Sequence, residues 1–269
     1  MKELRVSVII PAKNSGRTIG NCLSYISKQD YTPFEVIVVD GGSVDNTQDI
    51  AKACGARVYL EPPHEGNAPG IGRNYGAKKA SGDILAFLDS DCYPEKMWLS
   101  RVVKILSDPK VGIYAIIVRS MNGEIVSRAY HYLQMQINYD FAPSRCMAVK
   151  KSLFWEAKGF DETLTSGEDN VFSYRVIELG YDVVIDKETE IYHDDDHTTS
   201  LRGIWNQQKW YFEAERKLRQ RLPQRFKRFK TASPLREHLI PLVKAVLHEG
   251  LIFAIVCLLI KLLFIRKHL

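Results

Sequence analysis

Apolar residues fall along this chain in two alternating patterns. Val6–Pro11 (VSVIIP) and Phe34–Asp40 (FEVIVVD) are short, nearly unbroken apolar runs, too apolar for strands with one wet face. Between them, Thr18–Lys28 places Ile19, Cys22, Leu23 and Ile26 on one helical face. Asp45–Cys54 predicts a second helix, Ala56–Leu60 a third strand, and Ile71–Ala80 a helix after the loop Gly66–Gly70. Asp83–Leu88 predicts a fourth buried strand and Glu95–Leu106 another helix. This rhythm predicts a parallel sheet with helices on its faces. Further on, Val111–Val118 and Glu124–Ser127 flank Asn122-Gly123 and predict a hairpin, whereas 130–145 follow neither period. Cys146–Val149 and Tyr181–Ile185 predict strands; Lys151–Ala157 and Glu168–Leu179 predict helices. The expected fold class is α/β, with a mixed, mainly parallel central sheet flanked by helices.

Charge changes the picture at one end. The chain carries 37 Lys+Arg against 32 Asp+Glu, but residues 216–236 hold 9 basic residues and no acidic one. The rest is therefore net acidic, and the basic character belongs to one segment. Leu239–Leu247 and Leu251–Ile265 follow it, the latter apolar except for Lys261. This tail reads as a membrane attachment rather than a buried terminal helix. As a helix, Leu251–Ile265 is about 22 Å long, short of a bilayer core of roughly 30 Å. Basic residues also lie on both sides of it, with Arg266-Lys267 after it. A monotopic arrangement, with the basic segment on anionic membrane lipid, is preferred over a single short span. Two such tails could also pair and make a homo-oligomer. Nothing in the basic segment resembles a recognition helix or an aromatic–basic RNA platform, so nucleic acid is not an expected partner. Five separated cysteines without a CxxC pair, and no leader-like start, predict a reducing, cytoplasm-facing setting.

Candidate chemistry gathers where predicted strands end, the usual ligand edge of an open α/β sheet. The first ends at Pro11-Ala12-Lys13-Asn14, the second at Asp40, and the fourth at Asp89-Ser90-Asp91. Any one of these carboxylates reads equally as a turn former or helix cap; together they suggest a site. Two carboxylates at i and i+2 after a buried strand can approach one hard divalent cation, shared with a diphosphate. Neither GxxxxGK[ST] nor GxGxxG occurs, which argues against Walker-type and dinucleotide readings. Asp169, beside Glu168, reads as a helix cap or as a general base kept ionised at a helix N-terminus. His193 is a candidate third ligand to the metal. The aspartates that follow it, 194–196, read as a solvated turn.

These segments resemble family 2 nucleotide-sugar glycosyltransferases of the GT-A fold. VSVIIPAKN (6–14), VIVVDGGSVDNT (36–47), GIGRNYGAKKASGDILAFLDSD (70–91), GFDETLTSGEDNVFSYRV (159–176) and IYH (191–193) carry the resemblance, in order, over roughly residues 4–215. It implies a GT-A catalytic domain over 1–215, with a nucleotide-binding half (1–91) and an acceptor-binding half (92–215), followed by attachment helices over 216–269. Pro11, Ala12 and Asn14 would line the nucleotide pocket and Asp40 would hydrogen-bond the base. Arg73, Asp89 and Ser90 would hold the diphosphate and sugar side. Asp91, helped by Asp89 and His193, would ligate Mn²⁺ or Mg²⁺. Asp169 would deprotonate the acceptor in an inverting displacement, with Glu168 positioning it. The donor expected is a UDP-sugar. The acceptor expected is a membrane-bound, lipid-linked saccharide at the cytoplasmic face of the cell membrane. Direct transfer to polyprenyl phosphate, or a non-catalytic nucleotide-sugar-binding scaffold, are the alternatives. Asn206-Gln207-Gln208-Lys209-Trp210 departs from the QxxRW motif of processive members, which implies single additions.

Overall fold

The computed structural model describes residues 3–64, 68–121, 123–136, 141–194, 199–207, 209 and 251–265. Contacts divide the chain into two units: 1–118 with 141–193, and 119–140 with 194–269. The basic segment 216–236, Leu239–Leu247, Gln208, Trp210, Arg266-Lys267 and Asp195–His197 lie outside the described residues.

The first unit is built on strands β1 (Val6–Ala12), β2 (Phe34–Asp40), β3 (Arg57–Leu60), β4 (Ile84–Leu88), β5 (Cys92–Pro94) and β6 (Val111–Ile116). The second unit's two-residue β7 (Arg119–Ser120) comes next, and the first unit then adds β8 (Cys146–Lys150), β9 (Asp182–Asp186) and β10 (Ile191–His193). Seven of these form one sheet in the order β3-β2-β1-β4-β8-β6-β9. Strands β1 to β4 pair in parallel, β8 runs antiparallel to both β4 and β6, and β9 is parallel to β6. The sheet is mixed and mainly parallel, as the alternation of runs and helices predicts. β5 and β10 pair separately and antiparallel.

Strand periodicity sorts side chains into two cores. Val6, Val8, Ile10, Ala86 and Leu88 face helices α1 (Ile19–Ile26) and α4 (Trp98–Leu106), with α2 (Thr47–Ala53) contributing Ala51. Ile9, Leu85 and Phe87 face the opposite way, onto α3 (Pro69–Lys79), α6 (Lys151–Glu156) and α7 (Glu168–Glu178). The helix α3 lies unusually close to the sheet. A Cβ at Gly76 would fall 2.4 Å from Ile9 Cγ2, so only glycine permits that approach.

The second unit holds α5 (Ile125–Gln136), a helical stretch at 201–207, and α8 (Leu251–Ile265). The expected hairpin is absent: Glu124–Ser127 is not a strand but leads into α5, and that helix also takes 130–136 from the unassigned stretch. Ile125-Val126 favours strand locally, yet Ala129, Tyr130 and Leu133 bury one helical stripe against Ile204, Phe253, Cys257 and Ile260. The partner that selects the helix lies more than a hundred residues away, beyond the reach of a local reading. The helix α8 buries Phe253, Cys257 and Ile260 and leaves Leu251, Ile252, Ile255, Leu258 and Leu259 exposed. Among the described residues, no helix is long and apolar enough to cross a membrane.

Candidate active site

The carboxyl ends of β1, β2 and β4 lie side by side, because parallel register carries Ala12 opposite Asp40 and Ile9 opposite Phe87. The loops beyond β1 and β2 are stitched together. Gly41 N–H donates to Ala12 O (2.8 Å), Asn14 N–H to Ser43 Oγ (2.8 Å), and Val44 N–H to Asn14 Oδ1 (3.0 Å). Asn14 takes a left-handed φ of 51° to do this, which its short polar side chain tolerates. Pro11 and Ala12 form the floor of this end, partly and almost wholly buried. Ser15 Oγ lies 2.8 Å from Ser90 Oγ and ties the first loop to the turn after β4.

Asp40 is fully buried, and its carboxylate is already engaged. It accepts from Gly42 N (3.2 Å), Ser43 N (3.0 Å), Gln48 Nε2 (2.9 Å) and the Ser43 hydroxyl. A carboxylate accepts about four hydrogen bonds, so Asp40 here organises the 41–48 turn. The turn-forming reading of this residue is the one its geometry expresses.

Arg73 is the hub of the next group. Only 6% exposed on α3, its Nη2 lies 2.7 Å from Asp89 Oδ1 and its Nη1 3.4 Å from Glu168 Oε1. Nη1 also donates to Pro69 O (3.2 Å), while the buried Nε has no hydrogen-bond partner. Glu168 and Asp169 open α7, whose N-cap Gly167 has φ 81°, a conformation that favours glycine. Ser144 serves both acids: its N–H donates to Asp169 Oδ2 (3.2 Å) and its Oγ to Glu168 Oε1 (3.4 Å). Asp169 Oδ1 also accepts from Asn170 N (2.8 Å).

The α7 N-terminus does not bring the pKa of Asp169 below its ordinary value. Burial pushes its carboxyl pKa up, against the hydrogen bond from Ser144 N and the charge of Arg73. Burial, then the charge of Asp169, raises Glu168 to about 7, with Arg73 pulling the other way. Desolvation outweighs the helix terminus because it acts on the whole charge, whereas the terminal dipole offers only a fraction of one. A carboxylate titrating near neutrality suits proton uptake.

Asp91 behaves oppositely. Burial acts to raise its pKa, but the hydrogen bond and charge of His193, with Arg145 behind them, bring the net shift below the ordinary carboxylate value. His193 Nε2 is 3.3 Å from Asp91 Oδ2. With the Cys92 thiol, these donors lie within 4.8 Å of one another. Carboxylate, imidazole and thiol are all metal-ligating groups, so this set fits a divalent cation. Burial pushes the thiol of Cys92 well up, as it does those of Cys22 and Cys146.

The fold therefore brings the candidates into three adjoining groups. Asn14, Asp40 and the strand-end loops form one, Arg73, Asp89, Glu168 and Asp169 the second, and Asp91 with His193 the third. Ser144 and Cys92 were missed from sequence. The antiparallel pairing of Leu88 with Cys146 delivers Ser144 and Arg145 to the end of β4, and that pairing lies beyond the unassigned stretch. Cys92 had a signal, its place directly after Asp91.

Residues 7–178 match the sequence profile of "Glycosyl transferase family 2". The matched stretch contains the first two groups and Asp91, and ends before His193. The chain is 31% identical over 191 residues to glycosyltransferase AglE of Haloferax volcanii, covering 65% of this chain. The chain spans 62% of that relative's own length. Among solved structures it is similar to mannosyltransferase PcManGT of Pyrobaculum calidifontis in complex with GDP-Man and Mn²⁺. There the TM-score is 0.63 at 20% identity, covering 100% of this chain and 76% of that one. It is also similar to glucosyl-3-phosphoglycerate synthase of Mycobacterium tuberculosis in complex with Mn²⁺, UDP and glucosyl-3-phosphoglycerate. The TM-score is 0.54 at 24% identity, covering 71% and 72% of the two chains. At these identities the structural likeness speaks for the fold, which is GT-A-like.

Proposed function

The chain belongs to glycosyl transferase family 2, and from that premise we propose a specific reaction. It transfers a single sugar, with inversion, from a nucleotide-diphosphate sugar to a hydroxyl of a membrane-bound, lipid-linked saccharide. The observation that carries this reading is the Arg73 bridge. One guanidinium holds Asp89, at the end of the donor-side strand β4, and Glu168, beside the acceptor-side base. Donor and base are thereby held on one rigid frame, which an in-line displacement at the anomeric carbon requires.

Asp169 is the base in this reading. It is less buried than Glu168 and makes no hydrogen bond to the arginine, so it can meet an acceptor hydroxyl and take its proton as the new bond forms. Glu168 positions it through Ser144 and Arg73. Pro11, Ala12 and Asn14 line the nucleotide pocket, and Asp40 shapes that pocket by holding the 42–43 turn. Arg73, Asp89 and Ser90 face the diphosphate and sugar. Asp91 and His193, with Asp89 near them, would hold Mn²⁺ or Mg²⁺, which when bound offsets the charge of the leaving diphosphate. The Mn²⁺ named for both similar structures supports this; of the two nucleotides named there, GDP and UDP, UDP is the donor nucleotide we propose.

Attachment to the membrane is part of the proposal. The helix α8 is amphiphilic in use: one stripe packs within its unit and the other, Leu251, Ile252, Ile255, Leu258 and Leu259, is exposed. That division supports a helix lying in the interface plane over one crossing the bilayer. The basic residues of 216–236 would hold anionic lipid on the cytoplasmic face, beside a lipid-linked acceptor.

Calorimetric titration of detergent-solubilised full chain with UDP, GDP and CMP, with and without Mn²⁺, tests the donor half. Metal-dependent binding of one nucleotide, lost in Asp91→Ala, is the expected result. Folded protein that binds none of them under any metal would overturn the reading. Flotation with anionic vesicles tests the attachment: Ile255→Glu with Leu259→Glu is expected to release the chain.

A further inference from the structure

The pocket around Asp91 contains a donor that a hard-cation site does not need. Strands β5 and β10 pair antiparallel with Cys92 directly opposite His193. Opposed residues of an antiparallel pair project to the same face of the ribbon with their Cβ atoms about 5 Å apart. The register thus sets a thiol beside the imidazole, and Asp91, one residue earlier, closes the group. Cys92 Sγ is 3.8 Å from Asp91 Oδ1, and His193 Nε2 is 3.3 Å from Asp91 Oδ2. Ligand bonds of about 2.0–2.3 Å around a tetrahedral zinc put neighbouring donors roughly 3.3–3.8 Å apart. The two contacts use different oxygens of Asp91; with one oxygen, the thiol and the imidazole counted, the three donors lie within 4.8 Å of one another, so a small closing movement brings them to that spacing. Cys92 and His193 are nearly inaccessible, at 0% and 6% exposure, while the side chain of Asp91 is 35% exposed and leaves a way in for an ion.

We propose that Cys92 is a third protein donor of this pocket, and that the pocket takes thiophilic divalent cations such as zinc and cadmium in competition with manganese and magnesium. Hard ions gain little from sulfur and would use the carboxylate and imidazole alone, keeping positions open for a diphosphate. A thiophilic ion engages all three side chains. Coordination exchanges the thiol proton for the ion: the S–H bond breaks, a sulfur–metal bond forms, and the proton passes to solvent with no change of oxidation state. An ion held by three protein donors has fewer positions left for the donor substrate, so zinc acts as an inhibitor of the manganese-loaded enzyme. This inference rests on the reading of Asp91 and His193 as metal ligands.

The test uses the full chain in detergent on a Cys54→Ser background, which removes the exposed thiol. Cadmium titration followed by the ultraviolet sulfur-to-cadmium charge-transfer band is expected to saturate at equimolar ion. Cys92→Ser is expected to abolish the band and to weaken cadmium binding at least about tenfold more than it weakens manganese binding, the latter followed by electron paramagnetic resonance of free Mn²⁺. Should Cys92→Ser fail to fold, cadmium NMR of the Cys54→Ser chain reads the donor set without that variant, and a shift for one sulfur among nitrogen and oxygen donors is expected. A resonance in the all-oxygen range, or a charge-transfer band that survives Cys92→Ser, would overturn the inference. If manganese still binds through Asp91 in that case, the metal-ligand reading stands and only the role of Cys92 falls. If no divalent cation binds the wild-type chain, both fall together.

Discussion

The candidate site has two acidic groups with opposite electrostatics. At one end Asp91 sits against His193 and within reach of Arg145, and these positive or proton-donating neighbours outweigh its burial and keep its pKa low. At the other end Glu168 and Asp169 share a buried helix start, and burial outweighs the same kind of support from Arg73. Carboxylate chemistry is the same in both places. What differs is the balance between desolvation and compensating charge. An acid kept ionised suits holding a cation, and an acid pushed toward neutral pH suits exchanging a proton, so the division of labour follows from surroundings rather than residue type.

The sharpest way to break this comparison is at the proton-exchanging end. Asp169→Asn is expected to lower kcat about 10²–10⁴-fold while nucleotide and Mn²⁺ binding, measured calorimetrically, persist. Equal loss of binding and turnover would place Asp169 on the donor side instead. The mirror experiment is Asp91→Ala, expected to weaken Mn²⁺ binding by at least about tenfold, with nucleotide binding losing its metal dependence.

The pH profile tests the same contrast more gently. A base with a raised pKa is protonated, and idle, below that pKa, so kcat/KM is expected to fall as pH drops through about 7, the value Glu168 reaches. The limb belongs to the pair, since the two carboxylates titrate together. Arg73 lowers both pKa values. Arg73→Met is therefore expected to move the acid limb to higher pH, whereas Glu168→Gln, which removes one of two neighbouring negative charges, moves it lower. A limb unmoved by either variant would show that another group sets it. The smallest effect is expected from Gly167→Ala. Its φ of 81° costs a side-chain residue about 1–2 kcal/mol, seen as a lower Tm together with a shifted acid limb, because the same turn sets where α7 begins.

Much of the frame was legible in the residue pattern, for local reasons. Ile84–Leu88 is apolar throughout, and Val6–Ile10 apolar but for Ser7, because both are covered on both faces. Ile19, Cys22, Leu23 and Ile26 fall on the buried stripe of α1 that their spacing predicts. Strand ends at Asn14, Asp40 and Asp89 come together at one edge of the sheet, because parallel strands place all their carboxyl ends together. The role of each acid was less legible. Asp40 reads as a base ligand from its motif, yet its oxygens are taken up by its own turn, a matter of where Gly42, Ser43 and Gln48 fold back. The upward shift of the Asp169 pKa was not legible for a similar reason, since the depth of a helix end is not written in its own residues.

Sequence periodicity was enough to determine an α/β sheet and its helical cover, since each depends on contacts within one or two neighbouring elements, and the family was legible in the resemblance carried by the ordered motifs. Only the tertiary structure decided that 125–136 is a helix, that Ser144 links the two acids of α7, and that Cys92 stands opposite His193. Each of these depends on a partner brought in by long-range pairing, α8 for α5, β4 for β8 and β10 for β5, and burial or register against a distant segment overrides local preference.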